Sequence, residues 1–399
     1  MKKALVILIL LAFVGGGLFA QTIQWNGYLQ AGLGIRSIAG HDDLYWGMIT
    51  PQVPNAGTRF HLQFRWTSAA ENAGIDASFR AAGNHAELNG IGLDTTGNPF
   101  LGFHVPYFLG WLTGFDNMIR LQAGRFWGGQ TPLATVDWLV GDDDFAGYGM
   151  MATVYPVDGL RFGFGMITPG SVAGFTGITQ NSTWEDRPFT AWLGARYMMS
   201  GVFGATANFR VQYENMNATL SFTAPIIPIV DLSGVLWLNR IDDFGDAGSM
   251  NAVVNLVIPY GIVMDDFRFG VHGRFIRSNL EANENPYLGV MAWADYRMDS
   301  IFPRVELGYA TGGSLGAGAT SFGTWVPIYR YSPSYNNDNA FMYLRPSVAF
   351  RVAANQHLEV GATIAIDQGA GGNTQNISVG GALEQGTSVG LWATFQLSF

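Results

Sequence analysis

Apolar and polar residues alternate along most of the chain, from Ile23 to Phe399, in runs of roughly ten residues that each end at a turn or a loop. Between residues 357 and 367 every second residue is Leu, Val, Ala or Ile, and the residues between them are mostly polar or Gly. A period of two predicts β-strands that are apolar on one face and polar on the other. The chain is therefore predicted to be all-β.

The alternating runs predict 18 strands, with 16 as the alternative because the runs near 202–224 and 250–277 are the least regular. The predicted strands lie near residues 23–36, 58–67, 74–82, 100–113, 118–126, 148–155, 160–168, 189–198, 202–212, 217–224, 229–240, 250–258, 266–277, 286–298, 303–311, 340–352, 357–367 and 387–399.

The connections between these strands are alternately short and long. The short ones lie at 68–73, 114–117, 156–159, 199–201, 225–228, 259–265, 299–302 and 353–356. The long series lies at 37–57, 83–99, 127–147, 169–188, 278–285, 312–339 and 368–386, with shorter members at 213–216 and 241–249. Short turns at one end and long loops at the other are typical of a transmembrane antiparallel up-and-down β-barrel of the bacterial outer membrane. An even strand number places both chain ends on the short-turn, periplasmic side.

Aromatic residues cluster beside the predicted short turns, where a bilayer-spanning barrel carries an aromatic girdle. They are Trp66, Trp111, Tyr197, Phe203, Phe267, Tyr296, Phe302 and Phe350. A soluble β-sandwich or a propeller also has alternating strands, but neither needs loops that are long at one end only. A propeller is further disfavoured because the chain has no fixed repeat of about 40–50 residues.

The first twenty residues differ from the rest. A basic start at Lys2 and Lys3 precedes an apolar run from Ala4 to Phe19, and Ala20 offers a small residue at its end. This order predicts a cleaved secretory signal peptide over 1–20 and a mature chain over 21–399. The alternative is a permanent membrane anchor, but the run is short for a bilayer span, which needs about 20 residues.

Composition narrows the possible functions. The chain has no Cys, which excludes disulfides, Cys-based metal sites and Cys nucleophiles. Acidic residues outnumber basic ones by 30 to 21, which argues against nucleic acid as a partner. Lys occurs only at Lys2 and Lys3, so the mature chain cannot form a phosphate-binding G-x-x-x-x-G-K loop, and no H-E-x-x-H pair is present. We therefore predict no metal, no cofactor and no enzymatic activity.

Two segments resemble the bacterial outer-membrane porins, in particular the general diffusion porins. The chain ends in the alternating run Leu391-Trp392-Ala393-Thr394-Phe395-Gln396-Leu397-Ser398-Phe399, and residues 119–126 read Ile-Arg-Leu-Gln-Ala-Gly-Arg-Phe. The first resembles the terminal strand that the outer-membrane assembly machinery reads, with Phe399 as its signal. The second resembles the strand that leads into the third external loop of porins. The resemblance implies an outer-membrane channel for passive diffusion of small hydrophilic solutes or ions. A homotrimer is also possible.

If the apolar face of each strand contacts lipid, the alternate face lines the lumen. The predicted lumen arginines are Arg59, Arg65, Arg80, Arg120, Arg161, Arg196 and Arg210, and the third long loop, 127–147, carries Asp137, Asp142, Asp143 and Asp144. The resemblance implies that this loop folds inward and that Asp142, Asp143 and Asp144 face the first four arginines across a constriction. A transverse field there would select solutes by charge. The alternative is that Arg lines the lumen only because it cannot face lipid, and that the aspartates form a solvated loop tip.

Three other functions remain open at this stage. A selective sugar channel would use inward aromatics as a stacking track, and the candidates are Tyr28, Trp192, Trp237, Trp293 and Trp392. A surface adhesin or antigen would bind a partner through loops such as the aromatic loop 312–339. A barrel hydrolase would use one of the G-x-S-x-G matches at 312–316 and 386–390, although that motif requires a strand-to-helix elbow.

Overall fold

The computed structural model describes thirteen stretches of the chain. They are residues 22–37, 44–48, 59–83, 101–105, 107–126, 147–169, 190–212, 215–226, 229–245, 248–277, 286–310, 341–367 and 386–399. The predicted signal peptide and residues 127–146 of the third long loop, with its four aspartates, lie outside these residues. Among the described residues, no helix is long and apolar enough to cross a membrane.

The described residues form twenty β-strands and one 3-10 turn at Ile241–Asp243. The strands are β1 (Thr22–Ser37), β2 (Leu44–Met48), β3 (Arg59–Thr67), β4 (Ala73–Gly83), β5 (Leu101–His104), β6 (Phe108–Gly114), β7 (Ile119–Phe126), β8 (Gly147–Val157), β9 (Leu160–Pro169), β10 (Thr190–Met199), β11 (Phe203–Gln212), β12 (Asn215–Ile226), β13 (Val230–Asn239), β14 (Ser249–Ile258), β15 (Phe267–Arg277), β16 (Tyr287–Tyr296), β17 (Ile301–Ala310), β18 (Phe341–Ala353), β19 (Gln356–Asp367) and β20 (Gly386–Ser398).

The twenty strands occupy eighteen positions in one closed antiparallel wall. β2 and β3 pair with the same edge of β1, at residues 33–37 and 22–30 respectively, so they share one position. β5 and β6 likewise share the edge of β4. The last strand, β20, pairs with β1 from Tyr28 to Ser37 and closes the ring. The prediction of an 18-strand barrel is confirmed, and the alternative of 16 strands is wrong.

The two shared positions are where the strand predictions were incomplete. β2 lies inside residues 37–57, which the sequence predicts as a loop. Its five residues are too short for alternation to distinguish them from irregular chain. The run predicted as one strand over 100–113 is divided at 105–107, which include Pro106. Proline lacks the amide hydrogen that a continuous ladder needs.

The wall is apolar outside, and its inner face carries most of the polar side chains together with an apolar cluster of Leu109, Phe126, Met151, Ile167 and Trp192. On β9 the side chains of Phe162, Phe164 and Met166 are 47%, 55% and 45% exposed, and the residues between them are buried. The buried polar side chains of the inner face are Gln30, His61, Asp76, Ser78, Gln122, Thr153, Thr206, Asn217, Thr219, Ser221, Asn251, His272, Arg274, Asp295, Glu306, Arg345, Ser347, Thr363 and Thr394. Soluble proteins bury apolar side chains and expose polar ones. The opposite arrangement here is that of a barrel that spans a bilayer.

The chain terminus forms part of the closing seam. The backbone amides of Gly27 and Phe399 each donate to the other residue's carbonyl, at 2.8 and 3.0 Å. The Phe399 ring stacks on Phe60 with 6.0 Å between ring centres. A Cβ at Gly27 would lie 2.9 Å from the Phe399 ring and 2.3 Å from the carbonyl oxygen of His61, so the seam needs glycine there. The role of Phe399 as an assembly signal stays a prediction.

Candidate channel lumen

Five of the predicted lumen arginines have described side chains, and all five lie at inward positions of their strands. We call this set the basic arc; it consists of Arg65 on β3, Arg120 on β7, Arg161 on β9, Arg196 on β10 and Arg210 on β11. Arg59 and Arg80 are the register partners of Gln30 and His61, and the side chains of these two arginines lie outside the described part of the structure.

The first two arginines of the basic arc share a carboxylate of the wall itself. The Nε of Arg65 donates to Asp76 at 2.6 Å, and a guanidinium nitrogen of Arg120 lies 3.6 Å from the other Asp76 oxygen. The Arg120 guanidinium also lies 4.5 Å above the Trp111 ring. Trp111 was predicted in the lipid-facing girdle, and this is wrong because it shares the inward face with Arg120.

Sequence reasoning missed Asp76 as a site residue, although its position was visible in the alternation. It stands between Ile75 and Ala77 on a strand whose apolar residues face lipid, and its register partner is Arg65. An ionisable residue on the polar face of one strand predicts a partner of opposite charge on the neighbouring strand of the hairpin, since such cross-strand pairs interact.

The next two arginines oppose each other directly. Arg161 and Arg196 are register partners across β9 and β10, and Arg161 lies 5.6 Å from the Tyr155 ring centre. Arg210 is the register partner of the buried Trp192. Among the described inward side chains from β3 to β11, Asp76 is the only carboxylate. This half of the wall therefore carries an excess of positive charge.

The opposite half of the wall carries both signs of charge, with Glu306 at its centre. Glu306 binds Arg304 at 2.7 Å through one carboxylate oxygen and Arg345 at 3.0 Å through the other. Arg345 also lies 3.7 Å from Glu359. Glu306 and Arg345 are only 4% and 5% exposed. We call Arg304, Glu306, Arg345 and Glu359, on β17 to β19, the charged ladder.

A second carboxylate, Asp295, links this half of the wall to a turn at the short-turn end of the barrel. Asp295 on β16 accepts from Arg268 at 2.7 Å and from the Tyr260 hydroxyl in the turn between β14 and β15. The Tyr260 ring lies between two guanidiniums, 4.9 Å from Arg268 and 4.8 Å from Arg297. Burial raises the pKa of the Tyr260 phenol, and its hydrogen bond to Asp295 raises the pKa further. The phenol therefore stays protonated and donates to Asp295 at neutral pH.

Two of the inward aromatic side chains, Trp293 and Trp392, pack against arginines of the wall. The predicted set does not form a continuous track on which sugars could stack. Trp293 lies between two guanidiniums, 5.1 Å from Arg268 and 4.6 Å from Arg304. Trp392 is 4% exposed and lies 4.6 Å beneath the Arg345 guanidinium. Ring faces covered in this way do not offer a surface on which a sugar could stack. The five predicted aromatics also stand on five separate strands, which are β1, β10, β13, β16 and β20.

The basic arc and the charged ladder face each other across the ring. β9 and β10, which carry Arg161 and Arg196, are separated by nine of the eighteen wall positions from β18 and β19, which carry Arg345 and Glu359, so these strands are diametrically opposite. A solute crossing the lumen therefore passes between a predominantly positive wall and a wall of paired charges.

The residues that would mark a hydrolase or a metal site are not assembled in the described chain. Ser388 of the second G-x-S-x-G match lies within β20, where it pairs in register with Ala365 of β19, so it stands in a strand rather than at an elbow. Ser314 of the first match lies outside the described residues. No group of His, Asp and Glu in the described stretches could hold a metal ion.

Comparison with known proteins identifies the architecture. No protein-family model and no curated protein sequence matches the chain. Among solved structures, OccAB4 of Acinetobacter baumannii is 11% identical, with a TM-score of 0.55 over 95% of this chain and 99% of its own. OpdK of Pseudomonas aeruginosa, solved with vanillate, is 10% identical, with a TM-score of 0.54 over 94% and 99%. The chain has the fold of the bacterial outer-membrane porins.

The porin fold is shared along the whole barrel. OprD of Pseudomonas aeruginosa, at 11% identity, aligns over 94% of this chain and 95% of its own with a TM-score of 0.51. At such low identity the likeness establishes the fold and its eighteen strands, and it carries no residue-level correspondence.

Proposed function

We propose that the chain is a porin of the bacterial outer membrane, through which small hydrophilic solutes and ions diffuse passively. The observation that carries this proposal is the inversion of the wall, with an apolar exterior and an interior lined by Arg, Asp, Glu, Asn and Thr. Charged groups away from water are costly, since an isolated ionised side chain pays a large desolvation penalty. A water-filled lumen satisfies the many charges of this interior.

The basic arc favours the passage of anions. Two of its five arginines, Arg65 and Arg120, contact Asp76, which is the only carboxylate among the described inward side chains of the strands from β3 to β11 over which the arc extends. A narrow, water-filled path beside such a surface concentrates anions and excludes cations. The structural relative OpdK was solved with vanillate, which is a carboxylate, and this agrees with anionic solutes for a barrel of this fold. We therefore propose selectivity for anions over cations.

The third long loop is a second element of the proposal. Asp142, Asp143 and Asp144 would fold into the lumen and narrow it beside the basic arc. The support is the resemblance of residues 119–126 to the porin strand that leads into the third loop, and the inward position of Arg120 on that strand. Changing the three aspartates to Asn should raise anion selectivity further, measured as reversal potential in a salt gradient. An unchanged potential would place the loop outside the conducting path.

Liposome swelling tests the channel directly. Liposomes that contain the refolded protein should swell in isosmotic solutions of small neutral and anionic solutes, at rates that fall as solute size increases. Protein-free liposomes are the control. A correctly folded barrel that produces no swelling with any solute would contradict the proposal and would favour the surface adhesin.

A further inference from the structure

The short turns of the barrel carry charge of the opposite sign to that of the basic arc. The described residues of these turns include six carboxylates and a single cation, Arg297, which is itself paired with Asp266 at 3.1 Å. Five of the six carboxylates belong to exposed residues. We call the six the acidic rim; they are Glu71, Asp116, Asp158, Asp265, Asp266 and Asp299.

The basic arc begins directly above the acidic rim. Arg120 is the second residue of β7, and it follows Asp116 of the preceding turn by four positions. Arg161 is the second residue of β9, and it follows Asp158 by three positions. At about 3.3 Å per residue, each of these pairs spans roughly 10 Å along the wall. The sign of the charge therefore changes over a short distance at the short-turn mouth of the lumen.

Salt keeps the rim and the arc apart as two successive fields. At about 0.1 M salt the Debye length is about 10 Å, which matches the distance between the two sets of charges. An anion that enters from the short-turn side has to cross the negative potential of the rim before it reaches the arc. An anion that enters from the long-loop side reaches the arc first and meets the rim only as it leaves.

We propose that the acidic rim makes the channel an electrical rectifier, which carries anions more readily from the long-loop side than from the short-turn side. A negative entrance lowers the local concentration of anions and so limits their supply to the arc. At the exit, the applied voltage drives anions that the arc has already accumulated across the same rim. The asymmetry exists only under a driving force, since a passive channel carries no net flux at equilibrium. The proposal rests on the open, anion-selective lumen proposed above.

Single-channel current–voltage curves in bilayers of neutral lipid, at about 0.1 M KCl, measure the asymmetry. The wild-type current should be about twofold larger when the chamber that faces the short turns is positive, because surface potentials of several kT change local ion concentrations strongly. That chamber is identified with Asp158→Cys channels, since the chain has no cysteine of its own. A maleimide linked to a polymer too large to enter the lumen reacts with them from the short-turn side only.

A rim-neutral variant tests whether the carboxylates cause the asymmetry. It combines Glu71→Gln, Asp116→Asn, Asp158→Asn and Asp299→Asn, and its currents at the two polarities should be nearly equal. The matched control combines Glu71→Asp, Asp116→Glu, Asp158→Glu and Asp299→Glu, which keep every charge, and it should retain the ratio of about two. Heat-dependent migration in gel electrophoresis confirms that each variant is folded. If the rim-neutral variant does not fold, Asp158→Arg, which changes the rim by two charge units, should lower the ratio and decides the question.

The outcomes separate this proposal from the proposed channel. Anion-selective steps with a symmetric wild-type curve would overturn the rectifier and leave the channel intact, whereas a folded barrel without conducting steps would overturn both. Asymmetry that persists in the rim-neutral variant would place its cause elsewhere in the barrel and overturn the role of the rim. An equal loss of asymmetry in the charge-preserving control would overturn it as well.

Discussion

The Glu306→Gln variant should be less stable than the wild-type barrel by about 3 kcal/mol, because removing one partner of a buried ion pair leaves the other charge uncompensated. Glu306 holds two guanidiniums, Arg304 at 2.7 Å and Arg345 at 3.0 Å, and both it and Arg345 are almost fully buried. Gln preserves the shape of the side chain and removes only the charge. The measurement is the midpoint of reversible urea unfolding in lipid vesicles.

The matched control is Glu359→Gln on the neighbouring strand. Glu359 lies 3.7 Å from Arg345, and its side chain is 25% exposed, so its interaction is longer and better screened by water. Its loss should cost about 1 kcal/mol or less. If the two variants unfold at the same urea concentration, Glu306 is not the centre of the charged ladder.

The Arg196→Glu variant should reduce the permeability ratio of chloride to potassium by about threefold or more, since the potential of a charged lumen depends steeply on its net charge. The substitution changes the basic arc by two charge units and gives Arg161, its register partner, an opposite charge in place of a like one. The ratio follows from the reversal potential across a planar bilayer under a salt gradient.

Arg196→Lys is the control for that experiment because it keeps the charge and changes only the shape of the cation. Its permeability ratio should stay close to that of the wild type. A loss of anion preference in the Lys variant as large as that in the Glu variant would show that side-chain shape, rather than charge, sets the selectivity at this position.

The barrel could be predicted from the sequence because its physical cause is local. A strand between lipid and water must alternate, so residues 357–367 alone reveal their two faces, and the position of each arginine of the basic arc follows from the same parity. The closing contacts between Gly27 and Phe399 required the structure, since they join opposite ends of the chain.

The pairing of charges could be predicted less well. Parity places Glu306 and Arg345 on the inner face, but residues 39 apart become partners only through the register of β17 with β18. Trp111 is a second example of a residue whose place depends on the register between strands. Its nearness to a short turn favoured a place in the girdle, and only its parity with Arg120 across β6 and β7 reveals that it faces the lumen.

Single-channel conductance of the refolded protein in a planar bilayer tests the proposed open, anion-selective lumen most directly. We expect stable unitary steps in symmetric salt and, under a salt gradient, a reversal potential of the sign that anion flow produces. Folded protein that inserts without conducting steps would contradict the channel, and steps with a cation-selective potential would contradict the role assigned to the basic arc.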